Sequence, residues 1–312
     1  MKNQKVLITG GAGFIGSNLA EELALENEVV VLDDLSTGKG ENIKKLTGKD
    51  NFKFIRGSIT DLELLQKISE GIDYVFHLAA KPSVPESIKD PISSNEVNIN
   101  GTLNLLIAAR DHDVRKVVYS SSCAVYGDAN AMPVSEMAAV CPKSPYAVAK
   151  LTGEYYGRVF TEIYDIPVAS LRYFNVYGPR QDPNSEYAAV VPKFISKVMG
   201  DTPPVIYGDG LQTRDFVFVR DVVRANILAS KTGVTGEFNI GGGNGITILE
   251  LADKINDLWG KDIKPFHEGQ REGEIKHSWA DISKARSFGY EPAYSLKDGL
   301  RETIRWYSNE TI

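Results

Sequence analysis

A doubly wound, parallel α/β sheet followed by a smaller α+β portion is the fold this 312-residue sequence predicts, and three observations predict it. Short β-branched runs alternate with helix-length amphipathic stretches through residues 1–175, the pattern of a parallel sheet covered on both faces. A glycine-rich turn, Thr9-Gly-Gly-Ala-Gly13-Phe-Ile-Gly16, separates the first run from the first helical stretch. After Asn175 the alternation stops, and breakers such as Pro203-Pro204 and Gly208-Asp-Gly210 take over.

Six strands are expected in order: Val6–Thr9, Glu28–Leu32, Phe52–Ile55, Asp73–His77, Lys116–Ser120 and Pro167–Arg172. Several are apolar on both faces, as buried parallel strands must be. Between them the spacing of apolar residues predicts helices at Ser17–Leu25, Asp61–Ile68, Asn100–Asp111 and Ser144–Tyr164. In the second half, Thr247-Ile-Leu-Glu250 is a capping box that opens a helix. Two more helices are expected at Ile282–Ser287, ahead of Gly289, and from Ser295 to Tyr307. The expected division is residues 1–175 and 176–312, with part of 215–240 packing back on the sheet.

Composition excludes several functions. Thirty-five basic against 41 acidic side chains give a net charge of −6, which disfavours nucleic acid and anionic membranes as partners. Two cysteines, Cys123 and Cys141, cannot build a disulfide framework and point to a reducing compartment. The four histidines form no metal-ligand grouping, so no metal is expected. The chain runs from Met1 straight into an apolar strand, without a secretory or membrane-spanning stretch, so a cytoplasmic location is expected.

The first turn carries the cofactor reading. Gly10, Gly13 and Gly16 allow a tight turn and close approach of backbone to a pyrophosphate, and the following helix offers unpaired N–H groups. This placement predicts a Rossmann-type dinucleotide site, with glycines spaced one residue wider than G-x-G-x-x-G. Asp33-Asp34 ends the second strand, 17 residues after Gly16. A carboxylate there accepts from the ribose hydroxyls and repels a 2′-phosphate, so NAD is expected over NADP. Small side chains in Leu78-Ala79-Ala80 leave room for the cofactor at the end of strand four.

Catalysis is expected from Ser144-Pro-Tyr146-Ala-Val-Ala-Lys150, which sets a phenol and an ammonium one helical turn apart. A tyrosine acting as base near pH 7 must be acidified by ~3 units, or ~4 kcal/mol. The lysine and a positive nicotinamide ring are the expected causes. Ser120-Ser121-Ser122 ends strand five at the sheet's carboxyl edge, where Ser122 can pass a proton between phenol and substrate.

Thr9–Gly16, the Ser122/Tyr146/Lys150 set and Arg172-Tyr-Phe-Asn-Val-Tyr-Gly-Pro179 together resemble the extended short-chain dehydrogenase/reductases. Within them the chain is similar to UDP-sugar 4-epimerases, and the wider glycine spacing is that family's own. The resemblance implies NAD contacts at Phe14, Ile15, Asp33, Asp34, Ser36, Thr37, Gly38, Ser58, Ile59, Leu78, Ala79, Ala80, Asn98, Ser120, Tyr146, Lys150 and Tyr173. It implies UDP-sugar contacts at Lys81, Ser122, Tyr146, Asn175, Ala189, Val190, Tyr207, Gln212, Arg214, Arg271, Glu274 and Ser278. Arg214 and Arg271 are the obvious diphosphate clamps on an acidic protein. Ser58 stands where the family places an aspartate, and Lys81 where it places a glutamine. The resemblance also implies a homodimer paired through the helices at Asn100–Asp111 and Ser144–Tyr164.

Related dehydratases carry an Asp-Glu pair where this chain has Cys123-Ala124, so dehydration is disfavoured. The expected reaction is reversible C4 epimerisation through a 4-keto sugar. Ser278, beside Trp279, is small where a tyrosine narrows the pocket of some relatives. This predicts UDP-N-acetylglucosamine and UDP-N-acetylgalactosamine as substrates, with some activity on UDP-glucose and UDP-galactose. The alternatives are a UDP-glucuronate 4-epimerase and a non-catalytic dinucleotide sensor on the same fold.

Overall fold

Six strands of the computed structural model, which describes residues 1–129, 131–183, 189–270 and 275–309, lie where the sequence predicts them. They are β1 (Lys5–Thr9), β2 (Glu28–Asp33), β3 (Phe52–Arg56), β4 (Tyr74–His77), β5 (Lys116–Ser122) and β6 (Val168–Tyr173). A seventh strand, Gly236–Ile240, pairs in parallel with β6, Gly236 opposite Ala169. From that edge the order runs β6, β5, β4, β1, β2, β3, and every neighbouring pair is parallel. The winding direction reverses between β1 and β4, the switch point at which open α/β sheets bind ligands.

Alternation along β1 shows why the strands read as unbroken apolar runs. Val6 and Ile8 enter one core with Leu19 and Leu23 of α1 (Phe14–Leu23) and Val222 of the helix Val219–Lys231. Leu7 enters the opposite core with Leu105 and Phe160, from the helices Gly101–Asp111 and Pro145–Tyr164. With both faces covered, neither parity of side chain meets water. A third core, around Tyr177, Phe194, Ile195 and Leu251, lies under the second half of the chain.

Local chemistry sets the helix starts. Ser144 accepts the Ala147 N–H, and Pro145 takes the first helical position, where a missing N–H costs nothing. Thr247 and Glu250 form the expected capping box of Ile248–Trp259. α1 begins at Phe14 rather than at Ser17, because Gly13 serves as its N-cap. The sequence reading missed Val84–Lys89, Pro91–Asn95 and the π-helical turn Glu96–Asn100, whose prolines look like breakers. It also missed Val219–Lys231, which follows the strand Phe216–Phe218 directly, with no capping side chain. Among the described residues no helix is long and apolar enough to cross a membrane.

Candidate active site

The turns after β1, β2, β4, β5 and β6 open along one edge of the sheet, and the predicted site residues gather there. Gly10 has φ +70°, and a Cβ on it would stand 2.6 Å from the Ala79 nitrogen. A Cβ on Gly16 would stand 2.2 Å from the Gly10 carbonyl oxygen. The chain is thus as close to itself here as backbone permits, which leaves a cradle over α1. No side chain caps α1, so its first N–H groups face that cradle. Each Asp33 oxygen accepts one backbone N–H, from Ala12 and from Leu35, both at 2.9 Å. Those bonds fix the carboxylate beside the turn and leave it lone pairs for a ribose diol. These groups fit a dinucleotide.

Other predicted cofactor residues spread around the cradle. Asp34 accepts the Ser36 N–H, and Ser36 and Thr37 are exposed next to it. Gly38 is small because a Cβ would meet the Asp33 carboxylate at 2.7 Å. Ala79 donates its N–H to Thr9, and Leu78 donates to the Thr9 carbonyl. Ser58 shares its hydroxyl with Thr60, and the Ile59 side chain is buried against Gly101. The Asn98 amide bonds both backbone groups of Lys81, at 2.7 and 3.0 Å, and so braces the segment that follows Ala79–Ala80. The Ser120 hydroxyl likewise turns inward, donating to the Tyr173 phenol, which donates to Asn226.

The catalytic set meets where the helix Pro145–Tyr164 crosses the end of β5. The Ser122 hydroxyl lies close enough to the Tyr146 phenol to draw its pKa down against burial. Lys150 is 4 % exposed and donates to the Ser120 carbonyl at 2.7 Å. Burial lowers its amine to about 8, while Glu154 pulls the other way. Burial pushes Tyr146 up to about 12, and the neighbouring Ser122 hydroxyl only opposes this. The lysine sits 5.9 Å from the phenol ring, so it does not acidify the tyrosine by itself. Acidification needs the further positive charge of an oxidised nicotinamide beside the phenol.

On the substrate side a cavity of about 580 Å³ collects Asn175, Ala189, Val190, Tyr207, Gln212 and Arg214. Ser278 pairs with Arg214 across two short parallel strands, so both belong to one rim. Arg271 and Glu274 lie outside the described residues. Lys81 lines a separate cavity of about 200 Å³, and its ammonium is bound to Ser93.

The sequence reading missed three side chains. Ser87, 2 % exposed, accepts the Tyr146 N–H at 3.1 Å. Asp215 is fully buried and accepts from Gly242, Gly243 and Ala280, tying the Arg214 strand to the Ser278 segment. Glu154 pairs with Arg172 beneath the catalytic helix. Its spacing of four residues from Lys150 was the available signal. Among the described residues no group of three or more histidine, cysteine, aspartate or glutamate side chains could hold a metal.

This fold and site define a dinucleotide-dependent enzyme of the short-chain dehydrogenase type. The profile of the NAD dependent epimerase/dehydratase family matches residues 6–241, and the chain belongs to that family, with NAD as its cofactor. It is similar to the UDP-glucose 4-epimerase of Mycolicibacterium smegmatis, 39% identical over 98% of this chain and 99% of the relative. Among solved structures it is similar to UDP-N-acetylglucosamine 4-epimerase from Methanobrevibacter ruminantium in complex with UDP-N-acetylmuramic acid. That match has 43% identity and a TM-score of 0.97, over 99% of this chain and 100% of the other. The UDP-glucose 4-epimerase of Thermus thermophilus in complex with NAD is 37% identical at a TM-score of 0.89, covering 97% and 99%.

Proposed function

We propose that this enzyme interconverts the C4 epimers of UDP-N-acetylglucosamine and UDP-N-acetylgalactosamine, with UDP-glucose and UDP-galactose as a secondary pair. The observation that carries the reaction is that the end of β5 at Ser122 and the first turns of the helix Pro145–Tyr164 bring Ser122, Tyr146 and Lys150 together at the mouth of the nucleotide cradle. The observation that favours acetylated sugars is the small Ser278 in register with Arg214. Once acidified to the phenolate beside a positive nicotinamide, the Tyr146 oxygen would take the 4-hydroxyl proton through Ser122, hold it as the phenol and return it to the 4-keto oxygen on reduction of the other face. Lys150 stabilises negative charge on that side of the site. The Gly10–Gly16 turn and Asp33 would hold NAD, which would supply a reversible acceptor for the C4 hydride and leave the net reaction redox-neutral. Arg214 would hold the diphosphate while the 4-keto sugar turns on its tether. Cys123 and Ala124 offer no acid–base pair for dehydration, and burial pushes the Cys123 thiol up to about 11.

The test is a panel of UDP-N-acetylglucosamine, UDP-glucose and UDP-glucuronate compared by kcat/KM. Deuterium placed at C4 must return to C4 without washing into added free NAD. Ser278→Tyr should depress turnover of the acetylated sugar selectively; equal loss on both would refute the gatekeeper role, and best turnover of UDP-glucuronate the substrate reading.

We further propose a homodimer. Val148, Tyr155, Val159 and Ile163 line the outer face of Pro145–Tyr164, exposed by 46, 48, 41 and 67%. A stripe of four large apolar side chains at helical spacing is what a helix-pairing interface requires. Light scattering of the wild type and of Ile163→Asp, expected to be dimer and monomer, checks it.

A further inference from the structure

Beneath the catalytic residues lies a buried polar cluster that the epimerisation steps do not use. Glu154 and Arg172 are 1% and 4% exposed at their side chains. Arg172 donates to both oxygens of Glu154, at 2.9 and 2.7 Å, a two-pronged pairing that fixes both planes. Ser121 donates its hydroxyl to the same carboxylate at 2.5 Å. Arg172 also reaches the Tyr126 phenol at 2.9 Å, and Tyr126 donates to Asn239 at 2.6 Å. The cluster thus joins β5, β6, the catalytic helix and the last sheet strand at one point.

Its members are chain neighbours of the catalytic groups. Ser121 precedes Ser122, and Glu154 stands one helical turn beyond Lys150, which is itself one turn beyond Tyr146. Gly153 lets the helix close on β5, since a Cβ there would stand 2.3 Å from the Tyr119 hydroxyl. A buried ion pair adds little net stability over an apolar replacement, so its presence calls for another explanation.

We propose that Glu154 is a positioning residue for proton transfer: held by Arg172 and Ser121, it locks the end of β5 that carries Ser122 against the helix that carries Tyr146 and Lys150, and serves as counter-charge to the Lys150 ammonium. The groups around that ammonium show why a counter-charge is needed. From β5 it meets the Tyr119 ring at 5.1 Å, a phenol that burial keeps protonated. From β4 it faces His77, which burial holds neutral, with a pKa near 3. From its own helix it meets Tyr146, which burial keeps protonated until a positive nicotinamide is bound, and Glu154, whose carboxylate is paired with Arg172 on β6. Glu154 is therefore the anion in this set, and the neighbour that raises the lysine.

The inference rests on the epimerase reading, so its test includes a readout that needs no turnover. In the NAD-loaded enzyme, Glu154→Gln keeps the size and one acceptor but removes the charge. Its kcat should fall at least tenfold with KM within twofold, and the basic limb of the kcat–pH profile should move to lower pH. The 15Nζ signal of Lys150, assigned by its loss in Lys150→Arg, should titrate at lower pH in the same variant, whichever sugar is the substrate. Ser121→Ala keeps the ion pair and removes only the strand tether, so kcat should fall severalfold with the pH profile unmoved. Wild-type kcat and an unmoved lysine titration in Glu154→Gln would overturn the proposal. Should that variant fail to fold, wild-type kcat in Ser121→Ala would overturn it instead.

Discussion

Replacing Gly16 by alanine sets two physical effects against each other. Gly16 lies within α1, where alanine is the better helix former by about 1 kcal/mol, so propensity alone predicts a more stable protein. Sterics predict the opposite. The new Cβ would lie 2.2 Å from the Gly10 oxygen, 2.8 Å from the Gly11 Cα and 2.9 Å from the Gly10 carbonyl carbon. All three are backbone atoms, so no flexible side chain can yield. Relief needs about 1 Å of movement between the turn and the helix, and such overpacking costs roughly 1–3 kcal/mol. The same movement draws the first N–H groups of α1 away from a pyrophosphate. Losing one charge-assisted bond, about 1.5–3 kcal/mol, weakens NAD binding by roughly 10–150-fold. Two controls grade the effect. A Cβ on Gly13 would meet the Gly10 oxygen at 3.2 Å, and one on Gly40 would meet nothing within 4 Å. Fluorescence titration of NAD and thermal melts should rank the variants Gly40→Ala, Gly13→Ala, Gly16→Ala from harmless to severe. A Gly16→Ala enzyme with wild-type NAD affinity and an equal or higher Tm would refute the close-approach argument.

Three further outcomes are expected. Tyr146→Phe should lower kcat by roughly 10²–10⁴ while NAD remains bound, as measured by single-turnover kinetics and cofactor content. Arg214→Lys removes forked recognition of the diphosphate and should raise KM about tenfold with a smaller change in kcat, in steady-state assays. With Lys150 lowered by burial to about 8, kcat should fall as pH rises through that value and the ammonium is lost. Stability should move the other way: the unfolded lysine, at its ordinary 10.5, binds the extra proton between pH 8 and 10.5, so this group's contribution rises with pH across that window. Denaturant midpoints taken beside the rates separate the two effects.

The sheet and the meeting of Ser122, Tyr146 and Lys150 were legible because local rules and tertiary needs agree there. Buried parallel strands must be apolar on both faces, and the Gly10–Gly16 turn can sit only at the first strand–helix junction. Ser144 and Thr247 announce their helices because their side chains cap them. Val219–Lys231 announces nothing, since it starts without a cap straight from a strand. Long-range pairing was illegible for the same reason. Nothing near Asn98 reveals that its amide binds Lys81, and nothing near Tyr146 reveals that Ser87 accepts its N–H. Spacing alone reports neither the burial of the tyrosine nor where the lysine's proton donors point.

The seventh strand has a consequence for anyone wishing to dissect the molecule. Gly236–Ile240 completes β6, Asn226 takes the Tyr173 hydroxyl, and Asn239 receives the Tyr126 proton. Ending the chain after residue 175 would strip these partners from the strand that carries Arg172 and leave an open sticky border beside the catalytic helix. Halves expressed separately should therefore aggregate, whereas co-expressed fragments nicked elsewhere have the means to reassemble.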